Sequence, residues 1–370
     1  MMENKEMKPK TKKKKRVSFL GKLVIFIDIC AVICFFLAYG PISYFRDLLV
    51  TTAMTTMNHR YFAYVLYSEE MVDKILDDNK IIESDEGTDT SAITFNPDFG
   101  TGTYSSSYER DVLEKDEGND VYKYVKISGD GWSGYMIVIY DPSDVQLVFS
   151  SKFGGSGEYI STMAKRKNAY VAMNASGVYN RYGNRNTGTS IKDGKVYYVG
   201  RKINKGGGLI GFTKDNVLML TKSSAKQAIA DGMDRAVEFG PFLVVNGVKS
   251  TFKGNGGWGI ANRSAIGQRQ DGIVLFIVID GRTSKSVGIS MADLADLFVK
   301  YGCINAANLD GGGSSALYAR KTPTSKGQLI NNPVGYGYSG ERYLPNAWMV
   351  LPEAFEKHKQ EANETNKTEE

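Results

Sequence analysis

The densest apolar run along the chain comes early. Leu23 to Tyr39 reads LVIFIDICAVICFFLAY, interrupted only by Asp28. With its flanks Val17 to Leu20 and Pro41 to Phe45 it is long enough to cross a hydrocarbon core of roughly 30 Å, which predicts a transmembrane helix over 23–43. No small-x-small cleavage pattern follows, which favours a retained anchor over a cleaved signal peptide. From Tyr44 to Lys80 apolar and small residues mix with few breakers, the pattern of a helical stalk over 44–83. Ser84 to Gly118 is rich in Gly, Ser, Thr and acids, so composition predicts a linker over 84–120.

Strand patterns begin at Val121 and recur at Tyr135 to Tyr140, Val145 to Phe149, Ala169 to Met173, Val196 to Val199, Val217 to Leu220 and Phe242 to Val245. Ile273 to Ile279 is continuously apolar, as a strand buried on both faces would be. It ends at Asp280-Gly281-Arg282. Ser290 with Asp293 then forms a capping-box pattern, and Leu294, Leu297, Phe298 and Tyr301 mark one buried helical stripe that Gly302 stops. A short strand from Ile304 to Leu309 leads into Asp310-Gly311-Gly312-Gly313-Ser314-Ser315, with another strand after it. This order predicts an α/β (α+β) domain over 121–352, a mixed β-sheet flanked by helices. From Glu353 to residue 370 the chain is polar and charged, a disordered tail by composition.

Charge changes the picture in one place. The net charge is +5, but residues 1–22 alone carry +7, leaving −2 over the other 348 residues. Lysines before the span and few after it predict a cytoplasmic N-terminus over 1–22 and an extracellular C-terminal domain on a single-pass cell-membrane protein. A near-neutral ectodomain lacks the basic surface that nucleic acid requires. Asp28 inside the span marks either a partner helix or a position at interfacial depth. Cys30 and Cys34 lie in the span and Cys303 alone outside it, so no disulfide can form within the ectodomain.

Composition also removes chemistries. The two histidines, His59 and His358, fall in the stalk and the tail, which argues against a Ser–His–Asp hydrolase and a His/Cys zinc site. The triple glycine lacks the lysine of a phosphate-binding P-loop. No cofactor and no metal ligand set is expected, although carboxylate-bound Ca²⁺ near Asp280 or Asp310 stays open as a structural aid. Carboxylate, arginine, amide and backbone N–H groups remain. Asp310 before three glycines suits either an anion nest or a capped turn. Glu238, directly before Phe-Gly-Pro241, is a poised acid or a surface carboxylate. Arg263 is a phosphate fork or a solvated side chain, and Asn174 after an apolar strand a ligand amide or a cap. Tyr336, Tyr338 and Arg342 share one Gly/Tyr-rich loop with Asn332 and Pro333.

Taken together these segments resemble the phosphodiester glycosidase family, that of N-acetylglucosamine-1-phosphodiester α-N-acetylglucosaminidase and bacterial exopolysaccharide-biosynthesis relatives. The resemblance runs from about Val121 to Leu351 and is carried by AYVAMNASGVYN, EFGPFLVVNG, NRSAIGQ, VIDGR with GISMADLADLF, INAANLDGGGSSALY and NNPVGYGYSGERYLPNA. The NLDGGGSS block, with the preceding DGR and the Leu/Ala-rich helix, is the specific part. Family members commonly carry two glycines where this chain has Ala175-Ser176. The resemblance implies hydrolysis of a sugar-1-phosphodiester, with Glu238, Asp310 and Asp280 catalytic. It implies substrate contacts from Asn174, Arg263, Gly311, Gly312, Gly313, Ser314, Ser315 and Arg342. A phosphate leaving group needs little acid assistance, so the larger needs are charge stabilisation of an oxocarbenium-like sugar and a grip on the phosphate. The rival expectations are a non-catalytic binder of cell-envelope glycopolymer and an assembly partner of a membrane polysaccharide machine.

Overall fold

A computed structural model describes residues 18–55, 60–97, 99, 102–200, 206–337 and 339–368. The basic segment up to residue 17, His59 and Tyr338 lie outside them.

Four helices open the chain: α1 (Phe19–Tyr39), α2 (Ser43–Thr55), α3 (Arg60–Leu66) and α4 (Glu69–Asp78). The 21 residues of α1 span about 31 Å, the thickness of a hydrocarbon core. None of its residues is buried, Asp28 included. It is long and apolar enough to cross a membrane. Its C-terminal end is fastened to the end of α3: Tyr39 Oη donates to the Leu66 carbonyl (3.0 Å) and Tyr67 Oη to that of Ala38 (2.7 Å). Helices α2 to α4 close over a small core of Val50, Ala53, Ala63, Val72 and Ile75. This layer is hydrogen-bonded to the domain, where Asn255 Nδ2 donates to Thr51 Oγ1 (3.0 Å).

Among the described residues three larger sheets and a two-stranded one (Ile81–Ile82 with Thr251–Phe252) make up the domain, with α5 (Ser107–Leu113), α6 (Ile160–Arg166), α7 (Ala225–Ala230), α8 (Met291–Lys300) and α9 (Pro352–Thr368) around them. The central sheet runs in the order Val248–Lys249, Phe242–Val245, Cys303–Asn308, Arg263–Arg269, Val274–Ile279, Trp132–Ile139, Tyr122–Gly129. One face of Val274–Ile279 (Val274, Phe276, Val278) joins a core shared by the three larger sheets with Phe212 and Trp348. The other face (Leu275, Ile277, Ile279) packs under α8 with Leu294 and Phe298. Burial on both faces is why that strand is apolar throughout. Ser290 caps α8 as its sequence predicts, accepting from Asp293 N, and Gly302 ends it with φ +79°.

The architecture is α+β. The expected mixed sheet takes a particular form. Val274–Ile279 and Cys303–Asn308 run in the same direction, but Arg263–Arg269 lies between them and pairs antiparallel with both. Every described strand pair is therefore antiparallel, because the strand–helix–strand pattern fixes direction and leaves adjacency open.

Two segments depart from their composition. Residues 84–94 lie along the core rather than tethering it: Thr88 and Leu220 exchange hydrogen bonds, Asp89 N donates to Asn246 Oδ1, and Thr94 N to the Gln270 carbonyl. Just before them, Glu83 accepts from Gly207 N (2.8 Å) and Phe242 N (2.6 Å). Their polarity reflects these backbone pairings instead of disorder. The expected disordered tail is helix α9. Phe355 stacks on Tyr170, Lys357 bridges Asp141 and Asp144, and His358 bonds Asp144. The Lys357 ammonium thus takes the place a cation would occupy between these two carboxylates.

Candidate active site

The site forms where the central sheet delivers Asp310 off the end of Cys303–Asn308. Gly311 follows, and a Cβ there would meet the Asn262 carbonyl at 2.8 Å, so backbone passes where a side chain cannot. Gly312 has φ +58°, the left-handed region. The turn engages its own amides: Gly312 N donates to the Asn262 carbonyl, Ser314 N to that of Gly311, and Ser315 N to that of Gly312. Gly311 N bonds the Asp310 carboxylate. Of the amides expected to form a nest, those of Gly312, Ser314 and Ser315 are engaged in this way, and Gly313 packs beside Val334 and Gly335.

Asp310, Ser314 and Arg342 meet at this turn. The Ser314 hydroxyl bonds the Asp310 carboxylate and accepts from Arg342 Nη1 (3.3 Å). Asp310 Oδ2 is shielded from solvent with no partner, as are Arg342 Nε and Nη2 and Ser315 Oγ. Burial pushes the Asp310 carboxyl above the usual carboxylate range, against the opposing pull of Arg342, Ser314 and the Gly311 amide. Unsatisfied buried polar atoms cost free energy, about 1–3 kcal/mol each. Four of them cluster around this one turn.

Other expected site residues hold this centre in place. Asn174, fully buried at the end of Val171–Asn174, donates to the Asp310 carbonyl (2.7 Å) and accepts from Ser264 Oγ and Ala316 N. Its Oδ1 thus accepts two hydrogen bonds and its Nδ2 donates one. Both Asp280 oxygens accept from Asn332, from its backbone N (2.7 Å) and its Nδ2 (2.9 Å), anchoring the loop that carries Arg342. Arg263 is 4% exposed and donates to the carbonyls of Trp258 (2.8 Å), Gly259 (2.8 Å) and Ile289 (3.4 Å). Burial, with Arg282 behind it, pulls its pKa down to about 9, so it stays charged at neutral pH. Its guanidinium organises the 258–263 loop instead of reaching outward as a phosphate fork.

Glu238 stands apart, half-buried on Met233–Phe239 of a second sheet, where Oε2 accepts from Thr189 N (2.8 Å). It lies at the same end as Asp310, because Asn308 clamps the intervening bend: its N donates to the Pro241 carbonyl and its Nδ2 to that of Gly240. Ala175 and Ser176 are buried beneath the site, and Ser176 bonds Asn346 Oδ1 through N and Oγ.

Sequence reasoning missed two residues. Glu341, 1% exposed, accepts from Ser161 N and Oγ and from Ser339 Oγ, pinning the second end of the Arg342 loop. The signal was an acid directly before the arginine. Arg282 is exposed, takes the left-handed φ +57°, and brings Nη2 within 3.9 Å of where a Gly312 side chain would begin. Among the described residues no carboxylate is within ion-pair distance of Arg263, Arg282 or Arg342.

Residues 167–351, half of the chain, match the family model for phosphodiester glycosidases. The chain belongs to the phosphodiester glycosidase family. Among its relatives is the SPbeta prophage-derived uncharacterized protein YomE of Bacillus subtilis (strain 168), 37% identical over 196 residues, which are 50% of this chain. The chain spans 28% of that relative's length. Among solved structures it is similar to the zebrafish N-acetylglucosamine-1-phosphodiester α-N-acetylglucosaminidase catalytic domain auto-inhibited by its pro-peptide (20% identity, TM-score 0.48, 64% of this chain and 85% of that one). A hypothetical protein from Synechocystis is also similar (14% identity, TM-score 0.43, 62% and 61%).

Proposed function

We propose that this phosphodiester glycosidase family member is a membrane-anchored hydrolase. Helix α1 spans the bilayer, the N-terminus is cytoplasmic, and the domain cleaves a sugar-1-phosphodiester of the cell envelope at the sugar C–O bond. The observation that carries the reading is the set of unpartnered polar atoms on Asp310, Ser315 and Arg342 around the family's DGGGSS turn. The free edge of Arg342 takes the phosphate oxygens in a charge-assisted fork. Burial favours the protonated form of the Asp310 carboxyl, and that form donates its proton to the departing phosphate. Glu238, on the neighbouring strand end, is the carboxylate for the sugar side, polarising water or stabilising the cationic ring. Asn174, Asp280, Glu341 and Arg263 position these groups without touching substrate.

The test is release of free sugar from the methyl diester of α-N-acetylglucosamine-1-phosphate by the full-length protein in detergent. Turnover that falls at least about a hundredfold in Asp310→Asn, with the melting temperature unchanged, supports the assignment. Binding of the diester without any sugar release makes the protein a glycopolymer binder instead.

A further inference from the structure

An apolar cavity of about 730 Å³ opens between the membrane-side helices and the domain. Leu37 and Ala38 of α1, Phe45 and Leu49 of α2 and Phe62 of α3 line it, and the domain side is closed by Arg282. The same arginine reaches the Gly312 turn, so one residue forms both the polar end of the cavity and an edge of the candidate active site. Its left-handed backbone is the kind of outlier that persists where surrounding structure enforces it, commonly at ligand sites. The helical layer is tied to this place by Asn255 on Thr51, and Tyr39 and Tyr67 lock α1 to α3 at the level of the cavity. Besides Phe62, which lines the cavity, α3 exposes Tyr61 and Tyr64, aromatic residues of the sort that sit at lipid headgroup depth. With the N-terminus inside, the C-terminal end of α1 and these aromatic residues face the outer leaflet.

An apolar cavity at headgroup depth, lined at its polar end by Arg282 beside the turn that carries Arg342's unpartnered nitrogens, matches one ligand chemistry. We infer that the substrate is a lipid: a sugar-1-phosphate esterified to a long-chain alcohol, whose phosphate lies between Arg282 and Arg342 and whose first chain segment fills the cavity between α1, α2 and α3. This rests on the hydrolase reading and on α1 as a membrane span. In the reaction the bond between sugar C1 and the phosphate oxygen breaks and its electron pair stays on that oxygen. Water adds to C1, and its proton balances the released phosphate monoester. Free sugar leaves to the outside, and the long-chain alkyl phosphate stays in the membrane.

The experiment uses the full-length protein in phosphatidylcholine nanodiscs. It compares kcat/KM for the dodecyl and methyl diesters of α-N-acetylglucosamine-1-phosphate in the native protein, Leu49→Asn and Phe62→Asn. Partitioning of the dodecyl ester into the bilayer raises its rate in all three proteins equally, so the dodecyl-to-methyl ratio isolates the cavity. Both side chains are more than a third exposed, at 38% and 46%, so the substitutions leave folding intact. The ratio is expected to fall at least tenfold in each variant, and an unchanged ratio in both overturns the inference. In parallel, a diazirine-bearing dodecyl phosphate is photo-crosslinked to the same nanodiscs. Labelling of α2 and α3 peptides that drops at least tenfold in Arg282→Gln supports the lipid site, and labelling that ignores Arg282 refutes it. If neither diester is hydrolysed, the hydrolase reading fails while the crosslinking still decides what the cavity holds.

Discussion

Arg263 and Arg342 of the family blocks should fail in opposite ways when shortened to alanine. Arg263→Ala removes two 2.8 Å bonds to the carbonyls of Trp258 and Gly259 and a weak 3.4 Å contact to Ile289. Hydrogen bonds from a charged donor contribute about 1.5–3 kcal/mol each, and the relieved desolvation of a buried guanidinium offsets part of the sum. A net loss of about 2–4 kcal/mol in folding free energy is expected, with phosphate affinity falling only as far as the loop shifts. Arg342→Ala removes a single 3.3 Å bond to Ser314 and two shielded nitrogens that had no partner. Its stability cost is about 1 kcal/mol or less. A charge-assisted fork to phosphate is worth about 3 kcal/mol, so kcat/KM for the methyl diester falls about a hundredfold. Urea denaturation and inhibition by inorganic phosphate, read on both variants, separate the two roles. An Arg263→Ala protein of native stability that no longer binds phosphate, beside an Arg342→Ala protein that does, would show the assignment to be reversed.

Further outcomes follow from the same contacts. Because burial raises the Asp310 pKa, the protonated form needed for turnover is complete at low pH and is lost as pH rises through the folded value; that alkaline limb of kcat should vanish from the residual rate of Asp310→Asn, and a limb that persists removes Asp310 as its source. The Asp144 hydrogen bond raises the His358 pKa above its ordinary value, so its contribution to docking α9 is full below about pH 6.5 and fades above it. A melting-temperature profile that slopes down from neutral pH in the native protein and flattens in His358→Ala checks this, and equal slopes count against it. A fragment starting at residue 100 lacks Glu83 and strands the part-buried amides of Gly207 and Phe242, so it should be about 2–6 kcal/mol less stable than one starting at residue 68. Equal urea midpoints for the two fragments would mean that Glu83 is dispensable.

The elements were legible wherever one residue pattern had one physical cause. The α8 cap at Ser290, its stripe through Leu294 and Phe298, its stop at Gly302 and the two-faced strand from Val274 all follow from local periodicity. Composition misled where polar residues bond backbone at a distance. Thr88 and Asp89 look like linker residues until their partners at Leu220 and Asn246, more than a hundred positions away, are brought alongside. Helix α9 looks disordered because its docking rests on Phe355 and a few charges, which carry little hydrophobic signal.

The candidate site divides along the same line. Motif residues mark where the chain has no freedom, and that is a different property from touching substrate. Asn174, Asp280 and Arg263 sit in the family blocks because each closes a distant loop onto the Asp310 turn: Asn174 through the Asp310 carbonyl, Asp280 through Asn332, Arg263 through Trp258 and Gly259. A polar side chain that is buried and fully bonded tolerates few replacements, since the alternative is an unpaired group in the core. Asp310 and Arg342 carry the opposite signature, with polar atoms shielded from water and left without a partner. Sequence shows both kinds of residue alike, as polar letters within a motif. Only the count of satisfied and unsatisfied atoms tells the scaffold from the part of the site that awaits a ligand. Arg282 lies outside that count because it is exposed, but its Nη2 lies 3.9 Å from where a Gly312 side chain would begin, and among the described residues no carboxylate is within ion-pair distance of it.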